Sequence, residues 1–122
     1  MIKLTFCLVR LPHLSREAFQ DYWFNTHGPL VASVAETLRI RRYVQLHSLP
    51  AETHSAIRAS REAPGEYDGV AELWFDSLQS ILENGQRPEA QEAGAMLLED
   101  EKTFIDLPKS PLWWGEERVI VG

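Results

Sequence analysis

The nine residues Tyr67-Asp68-Gly69-Val70-Ala71-Glu72-Leu73-Trp74-Phe75 read as a β-strand whose side chains alternate between two faces. Asp76 follows, able to cap a helix with Gln79 at the third position, as in a capping box. On the upstream side, Ile40 to His47 alternates again, placing Arg42, Val44 and Leu46 on one side and Arg41, Tyr43, Gln45 and His47 on the other. Between these strands, Ser48 to Glu66 holds Pro50, Pro64 and Gly65 among small and charged residues. It reads as a long loop with one helical turn near Ala56-Ile57-Arg58. Two strands in succession therefore occupy the middle of the chain, and what flanks them decides the architecture.

Further upstream, Ile2 to Val9 alternates as a first strand, with Ile2, Leu4, Phe6 and Leu8 on one face and Lys3, Thr5, Cys7 and Val9 on the other. Ser15 is a good N-cap with Glu17 in the first turn, and Phe19, Tyr22 and Trp23 recur at helical spacing, predicting a helix from about Ser15 to Thr26. Beyond Gly28-Pro29, Leu30, Val31, Val34 and Leu38 resume that spacing to the neighbourhood of Thr37. Downstream, a helix runs to about Asn84 and ends at Gly85. A second begins at Pro88 and carries Ala90, Ala93, Met96 and Leu97 on one side to about Thr103. Phe104 to Pro111 is a connector, and Glu116 to Val121 is expected to be the last strand.

The order strand, helix, strand, strand, helix, strand is the split arrangement of an α+β, ferredoxin-like βαββαβ antiparallel sheet with helices on one face. At 122 residues it makes one domain, residues 1–122. The other face needs a cover: Leu4, Phe6, Val44, Leu46, Val70 and Trp74 would together form a large apolar patch, so a homodimer through the sheet faces is expected.

Composition excludes several classes. Hydrophobic residues at 44% and charged residues at 25% suit a folded globular chain, and a net charge of −6 disfavours nucleic acid or an anionic membrane as partner. The single cysteine, Cys7, cannot form an internal disulfide, no signal-peptide pattern opens the chain, and no segment approaches the roughly 20 apolar residues of a membrane span. The expected location is cytoplasmic. Four histidines without ligand spacing and one cysteine predict no metal site, and no phosphate loop or dinucleotide fingerprint predicts a cofactor.

One stretch offers chemistry: Tyr22-Trp23-Phe24-Asn25-Thr26-His27-Gly28-Pro29-Leu30. Proline disfavours helical geometry in the residue before it and cannot extend the hydrogen-bond ladder, so a kink is expected near Gly28. His27 would sit there, at the rim of a pocket between sheet and helices, as a general acid or base or else as a cap on the broken helix. Tyr22, Trp23 and Phe24 point about 100° apart, so at least one lines a cavity if the others enter the core. Tyr22 and Trp23 are substrate-binding candidates. Tyr43, Gln45 and His47 share a strand face, where Tyr43 binds a polar substrate end and His47 pairs with His27, unless the row is merely solvated. One of Trp74 and Phe75 faces the pocket, and Trp74 is taken as the wall.

Asp68 and Glu72 lie about 13 Å apart along one strand face, too far to share a proton. Either each pairs with an arginine such as Arg41, Arg42 or Arg118, or Glu72 reaches the substrate. In the connector, Phe104 joins the binding candidates and Asp106 is the carboxylate expected to orient His27.

The segments Met1-Ile2-Lys3-Leu4-Thr5-Phe6, Leu14-Ser15-Arg16-Glu17-Ala18-Phe19, Tyr22-Trp23 with His27-Gly28-Pro29-Leu30, Arg42-Tyr43-Val44-Gln45 and Tyr67 to Phe75 together resemble the EthD family, as does the late Phe104-Ile105-Asp106. The resemblance implies a dimeric α+β barrel, with two sheets packed face to face and one pocket per subunit between sheet and helices. It also implies small-molecule chemistry: ether degradation, cofactor-free tailoring of aromatic polyketides or isomerisation of muconolactones. The expected function is a cofactor-free lyase, isomerase or cyclase acting on an aromatic or polyketide-like substrate, with His27 as acid–base. The alternatives are a non-catalytic binding or accessory protein for an oxygenase, and a cofactor-free or haem-dependent monooxygenase of the same barrel class.

Overall fold

A computed structural model describes all of residues 1–122. Strand β1, Ile2–Leu8, is central, with β3, Gly69–Phe75, antiparallel on one side and β4, Leu112–Gly115, antiparallel on the other. Strand β2, Arg42–His47, completes the sheet beside β3, giving the order β2-β3-β1-β4. This is the ferredoxin-like α+β arrangement expected from the strand and helix order. The last strand lies earlier than the sequence pattern suggests. Leu112 pairs with Phe6 and Trp114 with Leu4, whereas Glu116 to Val121 forms no strand, and its β-branched run Val119-Ile120-Val121 stands in solvent.

Register separates the two sheet faces. The rows Leu4, Leu73, Tyr43 and Phe6, Ala71, Gln45 turn towards the helices, whereas Lys3, Trp74, Arg42 and Thr5, Glu72, Val44 turn to the open face. Leu4 and Phe6 therefore do not belong to the open apolar patch expected of them. Because side chains alternate with period two, they share a face with Leu8, which is buried in the core.

The helices form over the first face: α1, Arg16–Tyr22; α2, Gly28–Val34; α4, Leu78–Asn84; and α5, Pro88–Glu101. Ser15 caps α1 through its hydroxyl, which accepts the Ala18 N–H. Ser77, not Asp76, caps α4 in the same way by accepting the Ser80 N–H, while Asp76 forms a bidentate pair with Arg41. The loop after β2 is more ordered than its composition suggests, containing a 3₁₀ turn at Ala51–His54 and a short helix α3, Ser55–Arg61.

No break in helical structure separates α1 from α2. Trp23–His27 is a π turn, and the Gly28 N–H donates to the Trp23 carbonyl, one residue further back than in an α-helix. Residues 22, 27 and 28 keep right-handed helical dihedrals, so the helical winding continues into Pro29. Proline is tolerated because the wider turn falls where its missing N–H would have been used. The core packs beneath this helix: Phe19, Trp23, Phe104, Phe6 and Leu8 are buried together, and the Trp23 ring crosses Gly69 so closely that a Cβ there would lie 2.4 Å from it. Gly69 is the residue that lets the indole reach the sheet.

Candidate functional site

Between the helices and the covered face of the sheet lies a cavity of about 320 Å³. That is the lower end of small-molecule sites. Leu4, Leu73, Phe75, Val31 and Leu97 are typical of its lining, and the polar exceptions are His27, Tyr43, Asn84 and Glu101. Asn84 is already engaged, donating to the Thr37 carbonyl and accepting from Arg87. No lysine or arginine lines the space.

His27 ends the π turn and is 5% exposed. Its Nδ1 lies 2.7 Å from Asp100 Oδ2, and the Tyr22 hydroxyl donates to Asp100 Oδ1 at 2.5 Å. A carboxylate oxygen accepts, so Nδ1 is the donor of this pair, and in the neutral ring Nε2 holds the lone pair. Nε2 has no partner within the chain, and no buried side-chain nitrogen or oxygen is left unpaired. The atom therefore keeps accessible surface, and the ring that carries it lines the cavity. Phe104 packs against the other side of the imidazole, with ring centroids 5.0 Å apart, and fixes its plane. The hydrogen bond to Asp100 also raises the Tyr22 phenol above its ordinary value.

Glu101, beside Asp100 at the end of α5, lines the same cavity and makes no side-chain hydrogen bond or ion pair. Burial and then the neighbouring Asp100 charge raise its carboxyl to about 7. Across the cavity, Tyr43 is also raised, by burial first. Gln45 links the β2 row: its Nε2 donates to the Tyr43 hydroxyl at 2.8 Å and to the Trp23 carbonyl at 2.9 Å, and its Oε1 lies 2.7 Å from His47 Nε2. The Tyr43 oxygen thus accepts from Gln45 and keeps its own hydrogen available.

The candidates from sequence divide accordingly. His27, Trp23 and Tyr43 line the cavity. Tyr22 and Phe104 stand behind His27, holding its carboxylate partner and its ring. His47 is in the row but not in the cavity. It stacks on the outer side of Trp23, ring centroids 4.5 Å apart, and opens on a shallow groove with Phe24 and Asn25. Burial holds its pKa below the usual histidine value.

Three placements correct the expectation. Asp106 does not orient His27; Asp100 does, while Asp106 gives its backbone to Val9 and Ser110 and its carboxylate faces Lys109. Glu72 is on the open face, hydrogen-bonded to Lys3 at 2.6 Å, and Asp68 pairs with Arg10, so neither uses Arg41, Arg42 or Arg118. Trp74 is on that face too, under the Lys3 and Arg42 cations and donating to Glu117, and Phe75 takes the cavity wall. Asp100 and Glu101 are not among the residues expected at the site, although Ala90, Ala93 and Leu97 continue to them at spacings of three and four, the stripe that a helix buries. Nowhere do three metal-ligating side chains converge.

No helix is long and apolar enough to cross a membrane. Among curated proteins, none matches the chain. Solved structures similar to it include an EthD family protein of Bacillus halodurans, 22% identical, TM-score 0.61, with 97% of this chain and 99% of that one covered. A dimeric protein of unknown function and ferredoxin-like fold from Bacteroides fragilis is 14% identical, TM-score 0.56, with 95% of each chain covered. SnoaB, a cofactor-independent oxygenase from Streptomyces nogalater, is 11% identical, TM-score 0.50, with 98% of this chain and 94% of that one covered. At these identities the likeness is one of fold. The EthD domain model, however, matches residues 11–108, most of the chain, which therefore belongs to the EthD family.

Proposed function

We propose that the chain is a small-molecule enzyme of the lyase, isomerase or cyclase type that acts without a cofactor on an aromatic or polyketide-like compound, with His27 as its acid–base. One observation carries the reading: a histidine fixed by a carboxylate through Nδ1 presents Nε2 to an apolar cavity. In that setting Nε2 takes a proton from a carbon next to a ligand carbonyl. The C–H electron pair passes into the enolate, and Asp100 steadies the imidazolium that results. Return of the proton to another carbon completes an isomerisation. Attack of the enolate carbon on a second carbonyl, with the proton delivered to the new alkoxide, closes a ring. Neither course needs an oxidant.

The test is exchange of the α-hydrogens of 1-tetralone for deuterium in heavy water. His27→Gln is expected to slow the catalysed exchange by about 10² to 10⁴. Equal rates in the variant and the native protein would overturn the assignment, and binding without exchange in the native protein would favour an accessory, ligand-carrying role. A second reading, cofactor-free oxygenation in the same cavity, is supported by the fold shared with the Streptomyces oxygenase. It predicts oxygen uptake with the substrate, measurable at an electrode.

The functional unit in this proposal is a homodimer joined through the open sheet faces. Exposed Leu46 and Trp113 with half-buried Val44, Val70 and Trp74 support it, as does the dimeric state of the Bacteroides relative.

A further inference from the structure

Glu101 is the unusual group in the cavity. Its carboxyl has no partner in the chain, it stands at the last position of the 14-residue helix α5, where the helix dipole opposes negative charge, and Asp100 is next to it. The titratable groups facing it are His27 from the π turn and Tyr43 from β2. The strands β1, β3 and β4 and the helices α2 and α4 contribute only uncharged side chains to the space. An anionic ligand would find no cation here and would meet Glu101, with the Asp100 carboxylate next to it in the chain. A cationic one would have to leave water for a largely hydrocarbon wall.

We propose that Glu101 donates its carboxyl O–H to the carbonyl oxygen of a neutral, ring-containing ligand, with the Tyr43 hydroxyl available as a second donor from the opposite wall. This rests on the reading of the cavity as the site where His27 withdraws a proton. It adds the group that receives the charge, because hydrogen bonds to the carbonyl oxygen strengthen as the enolate forms. A carboxyl lifted to about 7 is protonated often enough near neutrality to serve as that donor. The ligand class follows: neutral ketones or esters on an apolar ring framework, and not their carboxylates or amines.

The experiment titrates three probes of one ring system, 2-acetylnaphthalene, 2-naphthoate and 2-naphthylmethylamine, into the native protein, Glu101→Gln and His27→Gln at pH 5.5 and 8.5, with folding checked at each pH by circular dichroism. The native protein is expected to bind the ketone roughly thirtyfold more weakly at pH 8.5, since ionisation removes the donor. At pH 5.5 the two charged probes should bind at least about tenfold more weakly than the ketone. Glu101→Gln, whose amide still donates at both pH values, should flatten the ketone profile. His27→Gln should leave the profile standing.

A pH-independent affinity in the native protein overturns the proposal whether or not the variants fold. So does a profile that persists in Glu101→Gln or vanishes in His27→Gln, tighter binding of the amine or the carboxylate, or no binding of any probe. Deuterium exchange reports separately. An unchanged rate in His27→Gln beside the expected ketone profile removes the base and leaves the Glu101 donor in place, whereas a flat profile with slowed exchange does the reverse.

Discussion

The two faces of the sheet are made from the same strands, yet they treat charge in opposite ways. On the open face the charges have partners: Lys3 pairs with Glu72 and Glu117, and the Arg42 guanidinium lies over the Trp74 ring. Lys3 is consequently held above its ordinary value, first by the hydrogen bond to Glu72. On the covered face one carboxyl, Glu101, is left unanswered, and one imidazole nitrogen is left free. Pairing suits a surface that binds something already formed, such as a second copy of the chain. Groups without partners suit a surface that must still make a bond, because the ligand supplies what is missing.

That contrast is broken most forcefully through the packing that builds the covered face. Trp23, 1% exposed, spans from Phe19 to Gly69, and Trp23→Ala is expected to cost about 4 kcal/mol of stability, read as a lowered urea midpoint. A loss under about 1 kcal/mol would mean that the cavity collapses freely. Glu101 gives the next effect. Its folded-state value of about 7 stands above the ordinary 4.5, so the native state keeps a proton that the unfolded chain has shed. Stability should fall as pH rises from about 4.5 to 7 and stay reduced above, by about 2 kcal/mol after allowance for partial exposure. Thermal melts at pH 5 and pH 8 check it, with Glu101→Gln expected to remove the difference. The open face gives the smallest change in the fold itself. Val44→Lys, directly opposite Glu72, should alter monomer stability by less than about 1 kcal/mol while light scattering shows loss of the dimer. A dimer that survived would place the interface elsewhere.

Much of this was legible in residues 1–75. Alternation marks β1, β2 and β3 because half-buried strands impose a period of two, and it also sets Tyr43, Gln45 and His47 in one row, as observed. Alternation does not say which row faces the helices, so by pattern alone Trp74 and Glu72 are as eligible for the cavity as Leu73 and Phe75, which occupy it. Strand propensity favoured Val119-Ile120-Val121, but pairing requires a partner edge, and β1 offers its free edge to Leu112–Gly115. His27 stands out as a histidine set between an aromatic run and a Gly-Pro pair. Its partner does not, because Asp100 is 73 residues away in an acidic run, Glu99-Asp100-Glu101, whose composition reads as solvated surface.

The π turn has a consequence for how the site can be lost. It amounts to one surplus residue wound into a helix, and Pro29 stands where a hydrogen donor would otherwise compete to wind the turn back to normal pitch. Removing Thr26 would let the helix rewind and swing the imidazole about a quarter-turn away from Asp100, with scarcely any change in helical content. The register of the site is therefore a latch of one residue, and a chain that keeps every side chain of the site but drops that residue would fold and yet leave its histidine facing the wrong way.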